Sequence, residues 1–282
     1  MQRLAIDNPF NAPVYREETV ASTMDVSRLL AGQGEPHGTV ITADFQEAGR
    51  GRVRERSWET ERGKNLVFTI LLRYACIEDI PPALTLRAGL ATALAIEDFT
   101  SAFAAPLAGR VLIKWPNDIL ISASRTAAAR KAAGILAEAA GGNVHIGIGV
   151  NVAQKNFPAG LRDKATSIAL ALDVEIENRE KFTLLEKILV RLHGEIDMPD
   201  AGVTDNGIQS WRERIEDRLY KKGEGVCFAD GVTGSEKKVT GTLAGIGPCG
   251  ELLIIPDGET EARAFVTGEL TGGYCVTIRK KF

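Results

Sequence analysis

The chain has 282 residues, 44% of them hydrophobic and 25% charged, which supplies core material for one large or two smaller globular domains. A net charge of -3 excludes a global basic field for duplex nucleic acid, and no uninterrupted apolar run is long enough to span a bilayer. The first residues, MQRLAIDNPF, lack the apolar stretch of a signal peptide, so the cysteines (Cys76, Cys227, Cys249, Cys275), which form no CxxC pair, are expected as reduced thiols in a cytoplasmic protein. His37, His145 and His193 are scattered without metal-ligand spacing.

Ser22 opens the first helix signal: Ser22 and Asp25 have capping-box spacing, Val26, Leu29 and Leu30 form a stripe, and Gly32 and Gly34 stop it. Residues 39–45 (TVITADF) read as a strand, and residues 65–73 (NLVFTILLR), apolar on both sides, read as a central one. Pro81 and Pro82 precede a helix over about 83–99. Short strands at 111–113 and 119–121 flank Lys114-Trp115-Pro116-Asn117-Asp118, where Pro116 biases Trp115 away from helix and predicts a tight connection. Alanines over 126–140 favour helix by propensity, but the following NVHIGIGVNV strand and Gly141-Gly142-Asn143 favour a hairpin over 133–150, with a loop at 122–130. A helix over 179–197 places Phe182, Leu185, Ile188, Leu189 and Leu192 on one face, and a short helix covers 205–218. Past Tyr220, short strand signals separated by turn residues (GVCFA, KKVTGTLAGI, ELLIIP, ARAFVTGEL, YCVTIR) predict a small all-β barrel. The expected units are therefore 1–220 and 221–282.

The chemistry concentrates at residues 46–58, QEAGRGRVRERSW. Gly49 and Gly51 let backbone approach a ligand closely. Arginines at 50, 52, 54 and 56 repel one another unless anions neutralise them, and guanidinium suits two-pronged contact with carboxylate or phosphate. Trp58 offers a flat face to a base. Most charge runs are solvated turns, so this segment alone leaves a ligand loop and a basic turn both open.

Further motifs decide between them. Ser22-Thr23-Met24-Asp25, the Gly-Arg-Gly-Arg loop with its Trp, Lys114 to Asp118, Lys131-Ala132-Ala133-Gly134-Ile135-Leu136 and Gly147-Ile148-Gly149-Val150-Asn151, in this order, resemble the biotin protein ligases from about Tyr15 onward. The resemblance implies an α+β fold, a mixed sheet flanked by helices like that of class II aminoacyl-tRNA synthetases, with an SH3-like C-terminal barrel. It implies a ligase that uses ATP and Mg2+ to make biotinyl-5'-AMP and passes the biotinyl group to a lysine of a biotin carboxyl carrier domain. Some members also carry a DNA-binding helix-turn-helix domain. The 21 residues before Ser22 are too few for one, so no nucleic-acid partner is expected. Monomer and homodimer both stay open.

By resemblance, Ser22 and Thr23 hold the ureido ring, Gln46 is a biotin-pocket amide, and Met24 lies in the biotin pocket at a position where Asn is common. Gly49, Arg50, Gly51, Arg52 and Gly134 complete the biotin pocket. Arg52, Arg54, Arg56, Trp58, Lys114, Asn117 and Asn151 face the adenylate, and Trp58 lies one residue further from the loop than in many relatives. Lys131 reaches both the biotin carboxyl and the α-phosphate, so Lys131, Arg50, Arg52 and Asp118 form the catalytic set. Asp118 orients or deprotonates the acceptor amine, or with Asn117 closes an Asx turn; Ser22 also reads as a helix cap. Mutual repulsion of the arginines predicts a loop that orders around ligand. Gly268-Glu269-Leu270 resembles an element that helps handle ATP and acceptor, or is plain barrel core. A lipoate or octanoate ligase of the same fold, a nucleic-acid-binding regulator and an inactive biotin-binding module are the alternatives.

Overall fold

The computed structural model describes residues 1–52, 58, 60–122, 128–197, 209–231 and 236–271. Its larger sheet is built around β4 (Leu66–Arg73), which is buried on both faces as its unbroken apolar sequence predicts. The other strands are β1 (Gln2–Leu4), β2 (Val14–Glu17), β3 (Thr39–Ala43), β5 (Val111–Lys114), β6 (Asp118–Ser122), β7 (Ala129–Ala140) and β8 (Asn143–Val150). Their order is β1-β2-β3-β4-β8-β7-β6-β5, and only β2 with β3 is parallel. The sheet is thus mixed, as expected. The β7–β8 hairpin turns at Gly141-Gly142, both at positive φ, a conformation strained for residues with a side chain.

Alternation along β4 distributes the helices. Leu66, Phe68, Ile70 and Leu72 join the main core beneath α2 (Leu84–Thr100) and α4 (Glu180–Asp197). Val67 and Thr69 face the other way, towards α1 (Thr23–Gly32). Burial of one apolar face, more than propensity, is what holds such helices in place.

The smaller sheet is antiparallel, formed by β9 (Gly225–Asp230), β10 (Lys237–Ile246), β11 (Leu252–Pro256), β12 (Arg263–Phe265) and β13 (Gly268–Thr271), in the order β12-β11-β10-β9-β13. Phe228 stacks at 5.8 Å from Trp115 and 5.0 Å from Phe265, and the Trp115 indole N–H donates to the Gly250 carbonyl at 2.9 Å. One hydrophobic cluster runs through both sheets. No helix among the described residues is long and apolar enough to cross a membrane.

Several local expectations need correction. The Ser22 hydroxyl accepts from the Met24 N–H, not from Asp25, so the predicted capping box does not form; the Asp25 carboxylate turns to Arg28 and Arg50 instead. β7 begins at Ala129, inside the stretch assigned to a loop, because β6 pairs with Ala129 and Arg130 there. Strands β1 and β2 and the short helix α3 (Ile168–Leu172) carried too few periodic residues to be read. Helix α5 covers only Trp211–Glu216 of the predicted 205–218, of which 205–208 lie outside the described residues. The single ARAFVTGEL signal splits into β12 and β13, and the YCVTIR signal lies outside the described residues.

Candidate functional site

Between α1, the Arg/Gly loop and strands β7 and β8 lies a cavity floored by glycine. Gly147 and Gly149 alternate on one face of β8, and Gly134 of β7 pairs directly with Gly149. A methyl on Gly147 would sit 2.9 Å from the Met24 sulfur, and one on Gly149 would sit 2.5 Å from the Trp58 indole. The bare floor is therefore what admits Met24 and Trp58. With Trp58 seated there, the remaining cavity is about 70 Å³.

Ser22, Thr23, Met24 and Gln46 line the cavity. Gln46 is fixed there because its side-chain oxygen accepts from the Thr23 N–H at 2.8 Å and the Thr23 hydroxyl at 3.0 Å. Chain segments 20–21 and 45–48 run side by side, with the Val20, Glu47 and Ala48 N–H groups donating across, so the start of α1 and the loop enter together. Ser22 both caps α1 and lines the cavity, so its two readings coexist.

Arg50, Gly51, Arg52, Trp58, Asn117, Lys131 and Gly134 also line the cavity. The Arg50 guanidinium pairs with Asp25 at 2.7 Å, and Arg52 donates to the Gly268 carbonyl at 2.9 Å. Lys131 Nζ lies 2.5 Å from the Asp118 carboxylate and 5.6 Å from the Trp58 ring centroid. Three cations thus line the one cavity.

Lys131 and Gly134 reach the same cavity because β7 is irregular. Three residues apart on a regular strand, they would face opposite sides. The register with β6 steps from Ile119–Ala133 to Leu120–Lys131, so Ala132 is an extra residue that bulges and re-aims Lys131. Asn151 supports this bulge: its N–H donates to the Ala132 carbonyl at 2.8 Å and its side chain to the Thr166 carbonyl at 3.0 Å.

Other expected residues fall elsewhere. Asn151 is not part of the cavity lining, and neither is Lys114, whose ammonium lies 3.8 Å from Glu269 in the small sheet. Asp118 touches the site through Lys131, and Asn117 lines it while donating to the Ile135 carbonyl at 2.9 Å. Gly49 supports the loop by accepting the Trp58 N–H at 2.9 Å. Arg54, Arg56 and the expected ordering of the loop lie outside the described residues. The residues not foreseen are the glycine floor at 147 and 149, Asp25 as partner of Arg50, and Thr69 beneath Thr23. Two glycines at alternate positions of an otherwise apolar strand were the available signal for the floor.

The sequence pattern of the biotin/lipoate A/B protein ligase family matches residues 18–153. The chain is 37% identical over 172 residues to the bifunctional ligase/repressor BirA of Bacillus spizizenii, covering 57% of this chain and 47% of that one. It is 30% identical over 179 residues to the biotin–[acetyl-CoA-carboxylase] ligase of Mycobacterium tuberculosis, covering 64% and 62%. The biotin protein ligase of Aquifex aeolicus in complex with biotin and ATP superposes with a TM-score of 0.70 at 27% identity, covering 92% and 97%. The fold is that of the biotin protein ligases, and the sequence is similar to theirs. It spans about half the length of the BirA relatives it matches.

Proposed function

We propose that this chain activates biotin with ATP as biotinyl-5'-AMP and transfers the biotinyl group to a lysine of a biotin carboxyl carrier domain, in the cytoplasm. The observation that carries the reading is the single cavity joining a hydroxyl-and-amide end (Ser22, Thr23, Gln46) to three cations (Arg50, Arg52, Lys131). Hydroxyls and an amide suit a cyclic urea, and the cations suit a carboxylate joined to a phosphate.

In the first step the biotin carboxylate oxygen attacks the α-phosphorus of ATP, and pyrophosphate leaves. Lys131, with Arg50 and Arg52, offsets charge on the carboxylate and the phosphoryl oxygens, and positioning does most of the work. In the second step the acceptor amine attacks the acyl carbon, and AMP leaves. Asp118, held 2.5 Å from Lys131, takes up or orients the amine proton. Trp58 supplies the stacking face for adenine, and its indole N–H has no hydrogen-bond partner among the described residues. Mg2+ enters as the magnesium complex of ATP. Magnesium usually keeps several waters and leans on substrate phosphates.

The test is pyrophosphate release from ATP and Mg2+ with biotin or lipoate, with and without a carrier domain. Release that needs biotin, with labelling of the carrier, is the expected result. Release that needs lipoate moves the chain to the sister activity. Tight biotin binding without release overturns the ligase reading in favour of a binding module.

A further inference from the structure

The polar end of the cavity contains a hydrogen-bond relay whose direction is forced by one backbone group. The Thr23 main-chain N–H can only donate, and it lies 2.8 Å from the side-chain oxygen of Gln46. That contact assigns the oxygen end of the Gln46 amide without appeal to side-chain protons. An amide oxygen only accepts, so the Thr23 hydroxyl, 3.0 Å from the same oxygen, commits its single proton to it. The Thr69 hydroxyl lies 2.9 Å from the Thr23 hydroxyl and must therefore donate. The relay runs one way, from Thr69 to Thr23 to Gln46.

Two consequences follow for a ligand. The Gln46 amide is turned so that its NH2 end faces Gly49 and the loop side of the cavity. The Thr23 oxygen, with its proton committed and one lone pair taken by Thr69, has a single acceptor site left. The cavity end therefore offers donors at Gln46 and an acceptor at Thr23. A ring carbonyl flanked by N–H groups complements that pattern; a ring carrying a donor in place of the carbonyl does not.

Thr69 itself is fully buried on β4, with Val67 and Leu71 at the neighbouring positions of the same face. A valine there would have the same shape and suit a central strand at least as well, whereas burying a hydroxyl is costly unless it is hydrogen-bonded. Packing does not explain the hydroxyl; the relay does.

We propose that Thr69, which does not line the cavity, is a positioning residue that occupies one lone pair of the Thr23 hydroxyl and so holds that oxygen with a single acceptor site for the head group of the ligand. This rests on the reading that the ligand is biotin. Thr69→Val removes the donor and keeps the shape; Thr69→Ser keeps the donor. The probes are biotin, 2-iminobiotin (whose ring bears an N–H donor where biotin has its carbonyl) and ATP.

Thr69→Val is expected to weaken biotin binding about five- to tenfold, because the Thr23 oxygen is no longer held towards the ring N–H and one hydrogen bond to the ligand is lost. Binding of 2-iminobiotin and the KM for ATP should stay within about twofold, so the preference for biotin over its imino analogue narrows. Thr69→Ser should restore both affinity and preference. Equal losses for biotin, 2-iminobiotin and ATP would reveal a general structural role and overturn the proposal. So would biotin binding by Thr69→Val within about twofold of the unaltered protein. The unaltered protein separates the two levels: failure to bind biotin at all overturns the functional reading, whereas normal binding with an indifferent Thr69→Val overturns only the relay.

Discussion

At the residue scale, Lys131 and Gly149 carry opposite kinds of information. Lys131 carries a charge to a place that a bulge has chosen, and its proposed role rests on that charge. Its side chain is a third exposed, so Lys131→Ala removes a cation without opening a core cavity. We expect adenylate formation to fall by about 10²- to 10³-fold, as when a preorganised charge-stabilising donor is lost, with little change in Tm. Biotin-dependent pyrophosphate release and a thermal melt check both; near-normal turnover would show the site is misassigned. Gly149 works by having no side chain. Gly149→Ala puts a methyl 2.5 Å from the Trp58 indole, so the ring has to leave the floor. The expected result is a rise of about tenfold in the KM for ATP, the cost of losing a stacked aromatic face, read from initial rates at saturating biotin. The lysine was legible in the sequence because a motif surrounds it, and the loop arginines were legible for the same reason. The glycine floor and the Thr69 relay were not, since each is defined by what lies opposite on another strand or helix.

At the element scale, the loop between β3 and β4 is tied at its base by charge. Asp44, just past β3, pairs with Arg16 of β2 and with Lys181 of α4 at 2.8 Å, and the Gly63 N–H donates to the Asp44 carbonyl at 2.9 Å. Burial works to raise the Asp44 pKa, but hydrogen bonds and charge from Arg16 and Lys181 outweigh it and hold the carboxyl below its ordinary value of 3.8. A depressed folded pKa means that this stabilisation is complete above the unfolded value and is lost as pH falls through the acid range. His145, buried beneath α1 at 2.8 Å from the Ser27 hydroxyl, shares the sign: burial, helped by the charge of Arg28, pushes its pKa below 6.5. Its neutral form is favoured by folding, so stability also falls as pH drops below about 6.5. Tm measured against pH should therefore decline in two acid steps. His145→Gln should remove the upper step and Asp44→Asn the lower; a profile unchanged in both variants would contradict these assignments.

At the scale of the whole molecule, the question is whether the two sheets are separate bodies. The change of texture near Tyr220 supports a proposed boundary between units 1–220 and 221–282. Yet Trp115 of the large sheet and Phe228 of the small one belong to a single hydrophobic cluster, and Glu216 of α5 accepts the Ile246 N–H of β10 at 2.9 Å. Arg52 adds a contact from the loop to Gly268. A shared core predicts cooperative unfolding. Phe228→Ala, at a fully buried ring, should cost about 3–5 kcal/mol. It should lower one common transition, seen alike by tryptophan fluorescence and far-ultraviolet circular dichroism. Two separated transitions would show that the units fold independently.

The sequence by itself determined what depends on neighbours along the chain. The buried central strand, the amphipathic α1 and α4, the β7–β8 hairpin, the strand-rich C-terminal part and the clustering of cations in one loop are all properties of local composition and period. Only the tertiary structure decided which of the motif residues meet. Lys131 turns to the cavity through the extra residue at Ala132, Asn151 is drawn off to hold that bulge, and Lys114 is drawn off towards Glu269. A strand's period of two predicts a face only while the register is unbroken, and the partner strand sets the register. The direction of the Thr69–Thr23–Gln46 relay has the same origin: a main-chain N–H acquires its acceptor only when helix, loop and strand have packed together.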